Sequence, residues 1–166
     1  TVLGDFDSLG FEPCAKEIIK HPVKKDDTDT LLAVKVGLER GYKRFVLYGC
    51  TGGRADHSLA NFQTLCFIAS NGGVGYLCGE DFTATAICNS AVGFSSQAKG
   101  SVSLFSANTS CENVNIKGLL YSLSNARLSF DFPLGVSNEF IGKESKISVG
   151  NGTAIIIWQG PLDWIK

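Results

Sequence analysis

The chain has 166 residues, with 15 Lys and Arg against 16 Asp and Glu and a formal net charge of -1. So even a balance excludes the basic footprint of a nucleic-acid binder and the cationic face of a membrane-surface protein. Apolar residues make up 44% and charged residues 19%, as in an ordinary globular protein, and no apolar run reaches the ~18 residues of a transmembrane helix.

Thr1-Val2-Leu3 reads as the end of a strand, and a segment is expected to precede it. Ile18 to Val23 is a short apolar stretch ending near Pro22. Thr28 to Arg40 carries Leu31, Val34 and Leu38 on one helical face, with Gly41 as the stop. Arg44 to Tyr48 is a buried-strand run ending in glycine. His57 to Ser70 places Leu59, Phe62, Cys66 and Ala69 on one stripe, terminated by Asn71-Gly72-Gly73. Val74 to Cys78 is a further strand. Strands separated by helices predict a parallel sheet built from βαβ units.

Beyond about Gly79 the helical period disappears. Short β-rich runs follow at Phe82–Cys88, Ser101–Ser106, Val114–Ile116, Ala126–Phe132, Lys146–Val149 and Thr153–Gln159, punctuated by Gly, Asn, Ser and Pro. The predicted architecture is an α/β domain with a parallel sheet over residues 1–80, followed by an all-β sandwich over residues 81–166. The six cysteines, Cys14, Cys50, Cys66, Cys78, Cys88 and Cys111, contain no C-x-x-C pair, and several sit in apolar runs. They read as reduced structural thiols, and hence as those of a cytoplasmic protein.

Acidic residues concentrate in the first part of the chain. Asp5 and Asp7 stand two apart in Gly4-Asp-Phe-Asp-Ser8 after an apolar stub. Past a strand end both can converge on one cation; an Asx-turn with solvated acids accounts for them too. Asp26, Asp27 and Asp29 open a helical pattern with Thr28 between them. One or two acids complement a helix N-terminus, and one of them is expected to cap it. Three exceed that need, and carboxylates in this number suit a divalent metal held against a polyphosphate. Gly49-Cys-Thr-Gly-Gly-Arg54 lies between a strand and a helix. Its glycines allow amides to face phosphate oxygens, and Arg54 has the fork for phosphate. It lacks both the Lys-Ser/Thr ending of a Walker loop and the G-x-G-x-x-G dinucleotide pattern. Asp56 and His57 begin the next helix. Asp56 is a candidate cap, metal ligand or hydroxyl partner, and His57 is either a surface histidine or a functional one.

Taken in order, Gly4-Asp-Phe-Asp-Ser8, Asp26-Asp-Thr-Asp29, Gly49-Cys-Thr-Gly-Gly-Arg-Ala-Asp-His57 with Leu59-Ala-Asn61, and Pro133-Leu-Gly-Val-Ser-Asn-Glu139 resemble the bacterial thiamine pyrophosphokinases along essentially the whole chain. The resemblance implies ATP- and Mg²⁺-dependent transfer of a pyrophosphoryl group to the thiamine hydroxyl. It also implies an N-terminal α/β domain, a C-terminal β-sandwich and a homodimer with shared sites. By matching positions it implies Asp5, Asp7 and Asp29 as metal and phosphate carboxylates with Asp26 close by. Arg54 and Asp56 become reaction-centre residues, with Thr28, Gly52, Gly53 and His57 around the nucleotide. Ser137 and Asn138 become thiamine-pocket residues, and Trp158 a candidate aromatic wall for the pyrimidine. Two other readings stand beside it: an aspartate-based metal-dependent phosphatase, because an apolar stub precedes D-x-D, and a non-catalytic thiamine-binding module.

Overall fold

The structure, a computed structural model, describes residues 1–4, 14–20 and 27–166. Among them the chain is mostly β, with two α-helices and three sheets, and it forms two compact units, Thr1–Tyr42 and Lys43–Lys166. No described helix is long and apolar enough to cross a membrane.

In the first unit, β1 (Val2–Gly4) pairs in parallel with β2 (Ile18–Lys20), Leu3 opposite Ile19. Helix α1 (Asp29–Glu39) starts where Thr28, in extended backbone, accepts a hydrogen bond from the Leu31 amide at 3.2 Å. The cap is therefore Thr28 and not one of the acids. A capping side chain must sit just outside the first helical residue, and Asp29 is already inside, where it complements the helix dipole. Of the predicted apolar face, only Val34 is fully buried. At the helix end, Arg40 clasps Glu17 and holds its carboxyl down at about 2, with a smaller contribution from the Thr1 hydroxyl.

The second unit holds β3 (Arg44–Tyr48), α2 (Ala55–Ser70), β4 (Val74–Cys78), β5 (Thr83–Cys88), β6 (Ala91–Phe94), β7 (Ser101–Ser106), β8 (Ser110–Lys117), β9 (Leu123–Ser129), β10 (Gly135–Glu139), β11 (Ser145–Ser148) and β12 (Thr153–Trp158). A six-stranded sheet runs in the order β10-β7-β12-β5-β4-β3, and a four-stranded antiparallel sheet in the order β6-β11-β8-β9. In the larger sheet only β3 and β4 are parallel, joined through α2; β4 meets β5 antiparallel, so the parallel pair continues into antiparallel strands.

Strand alternation explains the layers. Along β12, Ala154, Ile156 and Trp158 enter a core shared with Phe94, Ile116, Leu128 and Ile147 of the smaller sheet. Ile155 and Ile157 point the other way, onto the cluster of Leu65, Leu77, Ala84 and Ala86 beneath α2. Both faces of the large sheet are covered at β5, which is why β5 is buried at five consecutive residues.

Several predicted features shift. The buried line of α2 is Asn61, Thr64, Leu65 and Ile68; Phe62, Cys66 and Ala69 flank it, and Leu59 is 62% exposed. Strand β3 is an edge strand with Arg44, Val46 and Tyr48 exposed, not a run buried on both faces. Strands β6 and β10 were not predicted. Gly135-Val-Ser-Asn-Glu139 reads locally as loop, yet it pairs with β7 through a bulge in which Ser137 has φ 59°. All six cysteines are free, and burial pushes the Cys66 thiol up to about 11, an inert packing role.

Trp158 is a core residue in this chain. It is 0% exposed, meets Phe94 edge-on at 5.2 Å, and donates its Nε1 proton to the Pro161 carbonyl at 3.0 Å. No ring face reaches the surface to act as a wall for a pyrimidine. Trp158→Ala should cost about 3–5 kcal/mol, read as a lowered urea midpoint at unchanged slope; a cost under about 1 kcal/mol would contradict this placement.

Candidate nucleotide and substrate site

The C-terminal ends of the parallel strands β3 and β4 lie side by side, Tyr48 opposite Cys78. At this edge of an α/β sheet the chain leaves the strands in loops, and ligands settle between them. The first loop is Gly49-Cys-Thr-Gly-Gly53. Gly52 and Gly53 hold φ 92° and 64°, and nothing lies within 4 Å of where a Cβ would stand on either. Glycine is required here by backbone conformation and not by crowding, and the front of the loop is open. The second loop is the tight turn from Gly79 to Phe82, closed by the Gly79 amide on the Phe82 carbonyl at 2.9 Å. Between them lies an open cleft of about 520 Å³.

The glycine loop is anchored from behind. Asn61, 7% exposed on the buried line of α2, donates its amide to the Cys50 carbonyl at 2.8 Å. In sequence Asn61 stands in the Leu59-Ala-Asn61 motif with no role of its own. An Asn among apolar positions of a helix that follows a glycine loop was the available signal.

Helix α2 opens at Arg54 with no side-chain cap, so Asp56 does not cap it. Asp56 instead takes the Arg54 fork on both oxygens, at 3.1 and 2.6 Å, and accepts from the His57 amide at 3.0 Å. Arg54 holds the Asp56 carboxyl down at about 2, the His57 amide adding to the effect. A carboxylate kept so acidic is a poor proton acceptor near neutrality. It serves better as the holder of Arg54, which stays cationic and exposed at the mouth of the glycine loop. His57 is exposed beside them.

In the first unit, Thr28 spends its hydroxyl oxygen as the α1 cap, and Asp29 is exposed. Asp27 is tied to Lys35 at 2.6 Å. Asp5, Asp7 and Asp26 lie outside the described residues. Among the described residues no three His, Cys, Asp or Glu side chains converge as a metal site.

Asn138 is 6% exposed, and its amide is occupied by backbone. Its Oδ1 accepts from the Tyr121 and Glu139 amides, each at 2.9 Å, and its Nδ2 donates to the Tyr121 carbonyl at 2.6 Å. It clamps the Leu119–Tyr121 segment onto β10. Ser137, next to it on the bulge, is exposed, and its amide donates to Ser103 Oγ at 3.1 Å.

Two family models match in sequence order: thiamin pyrophosphokinase, catalytic domain, over residues 1–73, and thiamin pyrophosphokinase, vitamin B1 binding domain, over residues 93–154. Together they span most of the chain. The chain belongs to the thiamine pyrophosphokinase family. It is similar to the thiamine pyrophosphokinase of Bacillus subtilis (strain 168), 27% identical over 161 residues that cover 93% of this chain and 75% of that one. The crystal structure of the Bacillus subtilis enzyme shares the fold with a TM-score of 0.81 at 24% identity, covering 96% of this chain and 78% of that one. That of a thiamin pyrophosphokinase family protein from Enterococcus faecalis has a TM-score of 0.75 at 26% identity, covering 96% and 80%. The first thiamine pyrophosphokinase model ends just after α2, so it takes in the glycine loop, Arg54, Asp56 and Asn61; the second takes in Ser137 and Asn138.

Two outcomes follow. Asn61→Ala removes the amide that donates to the Cys50 carbonyl; stability should drop by about 1–3 kcal/mol and the KM for nucleotide should rise several-fold with kcat less affected, measured by urea unfolding and initial rates. The folded Asp56 carboxyl is depressed, so its pairing stabilises the native state fully above the ordinary carboxylate range and loses that effect as pH falls toward about 2. The Tm difference between the parent chain and Asp56→Asn should therefore be flat from about pH 5 to pH 8, shrink only in stronger acid, and diminish with salt because the pair is exposed.

Proposed function

We propose that the chain transfers the pyrophosphoryl group of ATP to the hydroxyl of thiamine, giving thiamine diphosphate and AMP. The observation that carries this is the in-order match of a catalytic and a vitamin B1 binding model to one chain whose glycine loop opens on a cleft at the ends of parallel strands. We assign residues 1–80 to an α/β catalytic part and residues 81–166 to a β-sandwich that receives the vitamin, in a cytoplasmic protein.

The chemistry asks for positioning and charge neutralisation more than for covalent catalysis. The amides of Gly52 and Gly53 receive phosphate oxygens, and Arg54, held by Asp56, faces the charge that develops between the β-phosphorus and the departing AMP. Thr28 and His57 border the nucleotide. Asp5, Asp7 and Asp29 are the proposed holders of Mg²⁺, with Asp26 beside them. Carboxylate oxygens are the ligands that hard cation takes, and exposed Asp29 offers two in the first turn of α1. When bound, the cation would neutralise the triphosphate. Among these acids one accepts the proton of the thiamine hydroxyl; Asp56 is unsuited by its acidity.

The vitamin end is assigned to Ser137, with Asn138 as the residue that positions the Leu119–Tyr121 segment beside it. We propose a homodimer in which this end of one subunit completes the acidic end of the other. Supporting it, Leu120, Tyr121, Phe130, Phe132, Leu134 and Val136, on and around edge strand β10, are all 43% exposed or more, an apolar group that a second copy would cover.

The deciding assay follows ATP conversion to AMP with and without thiamine. Product should require both substrates, stop in EDTA and return with Mg²⁺; AMP release in metal-free chelator would refute the carboxylate roles. For the shared site, Asp7→Asn and Asn138→Ala proteins, each inactive and folded, are mixed. With free exchange about half of the dimers are mixed and carry one intact site, so about a quarter of full activity should return. No recovery despite measured exchange would rule the shared site out.

A further inference from the structure

We propose that the turn from Gly79 to Phe82 is the nucleoside half of the nucleotide site, with the carboxylates of Glu80 and Asp81 receiving the ribose hydroxyls and Phe82 walling the base. This rests on the reading above and names a subsite that reading leaves unassigned.

The cleft has two unlike walls. On one side stand Thr51 and Gly52 of the glycine loop, with backbone amides and no acid; on the other stand Glu80, Asp81 and Phe82. A polyphosphate cannot lie against two ionised carboxylates without strong repulsion, so its charge belongs at the amide wall. The neutral, hydroxyl-bearing part of the same molecule then falls on the acidic wall. An ionised carboxylate is an acceptor only, with two oxygens, and it suits the two donors of a vicinal diol. Both acids are exposed, and among the described residues neither makes a hydrogen bond or an ion pair with another side chain, so their oxygens are available.

The turn is built to hold them in place. The Gly79 amide closes it on Phe82, and the Phe82 ring lies across Gly79, where a Cβ would come within 2.4 Å of it. Behind, Phe82 stacks near-parallel on Phe62 of α2, ring centroids 6.4 Å apart. The same helix carries Asn61, which anchors the opposite wall at Cys50. Both walls are thus fixed to consecutive residues of one helix, which sets the width of the cleft. Its volume of about 520 Å³ lies within the ~300–1,000 Å³ range of ligand sites.

The test compares ATP, 2′-deoxy-ATP and 2′,3′-dideoxy-ATP. Calorimetric binding is measured with thiamine absent, and turnover with thiamine present. The parent chain should bind and use dideoxy-ATP about ten- to a hundredfold less well than ATP, the loss expected when hydrogen bonds to a charged group are removed. In the doubly substituted Glu80→Gln, Asp81→Asn protein that preference should fall below about threefold, while the Tm and the KM for thiamine stay at parent values. Equal use of the three nucleotides by the parent chain, or a preference that survives the double substitution, would overturn the proposal. So would a weakened thiamine KM with the nucleotide preference intact, which would assign the acids to the thiazolium cation instead. Absence of thiamine-dependent AMP formation with ATP preference present in calorimetry would sink the proposed reaction and leave this subsite standing.

Discussion

Burial of the middle of the six-stranded sheet between α2 and the smaller sheet is the constraint on which the second unit depends. Strand β12 shows it residue by residue. Trp158, Ile156 and Ala154 enter the core against the smaller sheet, and Ile157 and Ile155 face α2. Such a strand is largely covered on both faces, which favours apolar residues at Ala154–Trp158 on both sides. Because α2 is pressed onto that sheet, the loop that precedes it and the turn that follows β4 end at one edge, side by side.

At that edge the glycine loop, Arg54 and Asp56 divide the work between backbone and charge. Loop conformation comes from positive φ at Gly52 and Gly53, and loop position comes from Asn61. Arg54 has no buried partner; it is oriented by an acid two residues along the chain. A long flexible cation at the surface carries rotamer entropy that would oppose a fixed geometry, and the two-pronged contact with Asp56 offsets part of it. The same contact makes Asp56 a poor proton acceptor near neutrality.

A parallel economy holds at β10. The bulge at Ser137 breaks alternation, so Val136 and Ser137 both face outward while Asn138 turns in. Asn138 then engages the backbone around Tyr121 and Glu139 through both ends of its amide. A side chain so occupied fixes the backbone it holds.

How much was legible in the sequence follows from the range of the interactions involved. Gly41 as a helix stop, the α2 helix ending at Asn71-Gly72-Gly73, and strands β3, β4, β5, β7, β8, β11 and β12 could be placed from hydrophobic period and turn residues, which are local. The order of the motifs from Gly49 to His57 and from Pro133 to Glu139 was enough to bring the family into view. Other features depended on which neighbour arrived in space. Leu59 lost its place on the buried stripe because the sheet meets α2 along Asn61, Leu65 and Ile68. Strand β10 became a strand only because β7 offered it a partner across a bulge. Trp158 and Asn138 are polar-tipped residues whose roles local sequence leaves open; tertiary contacts decided that one fills the core and the other clamps a turn, because burial and hydrogen-bond partners far apart along the chain are not written in local periodicity.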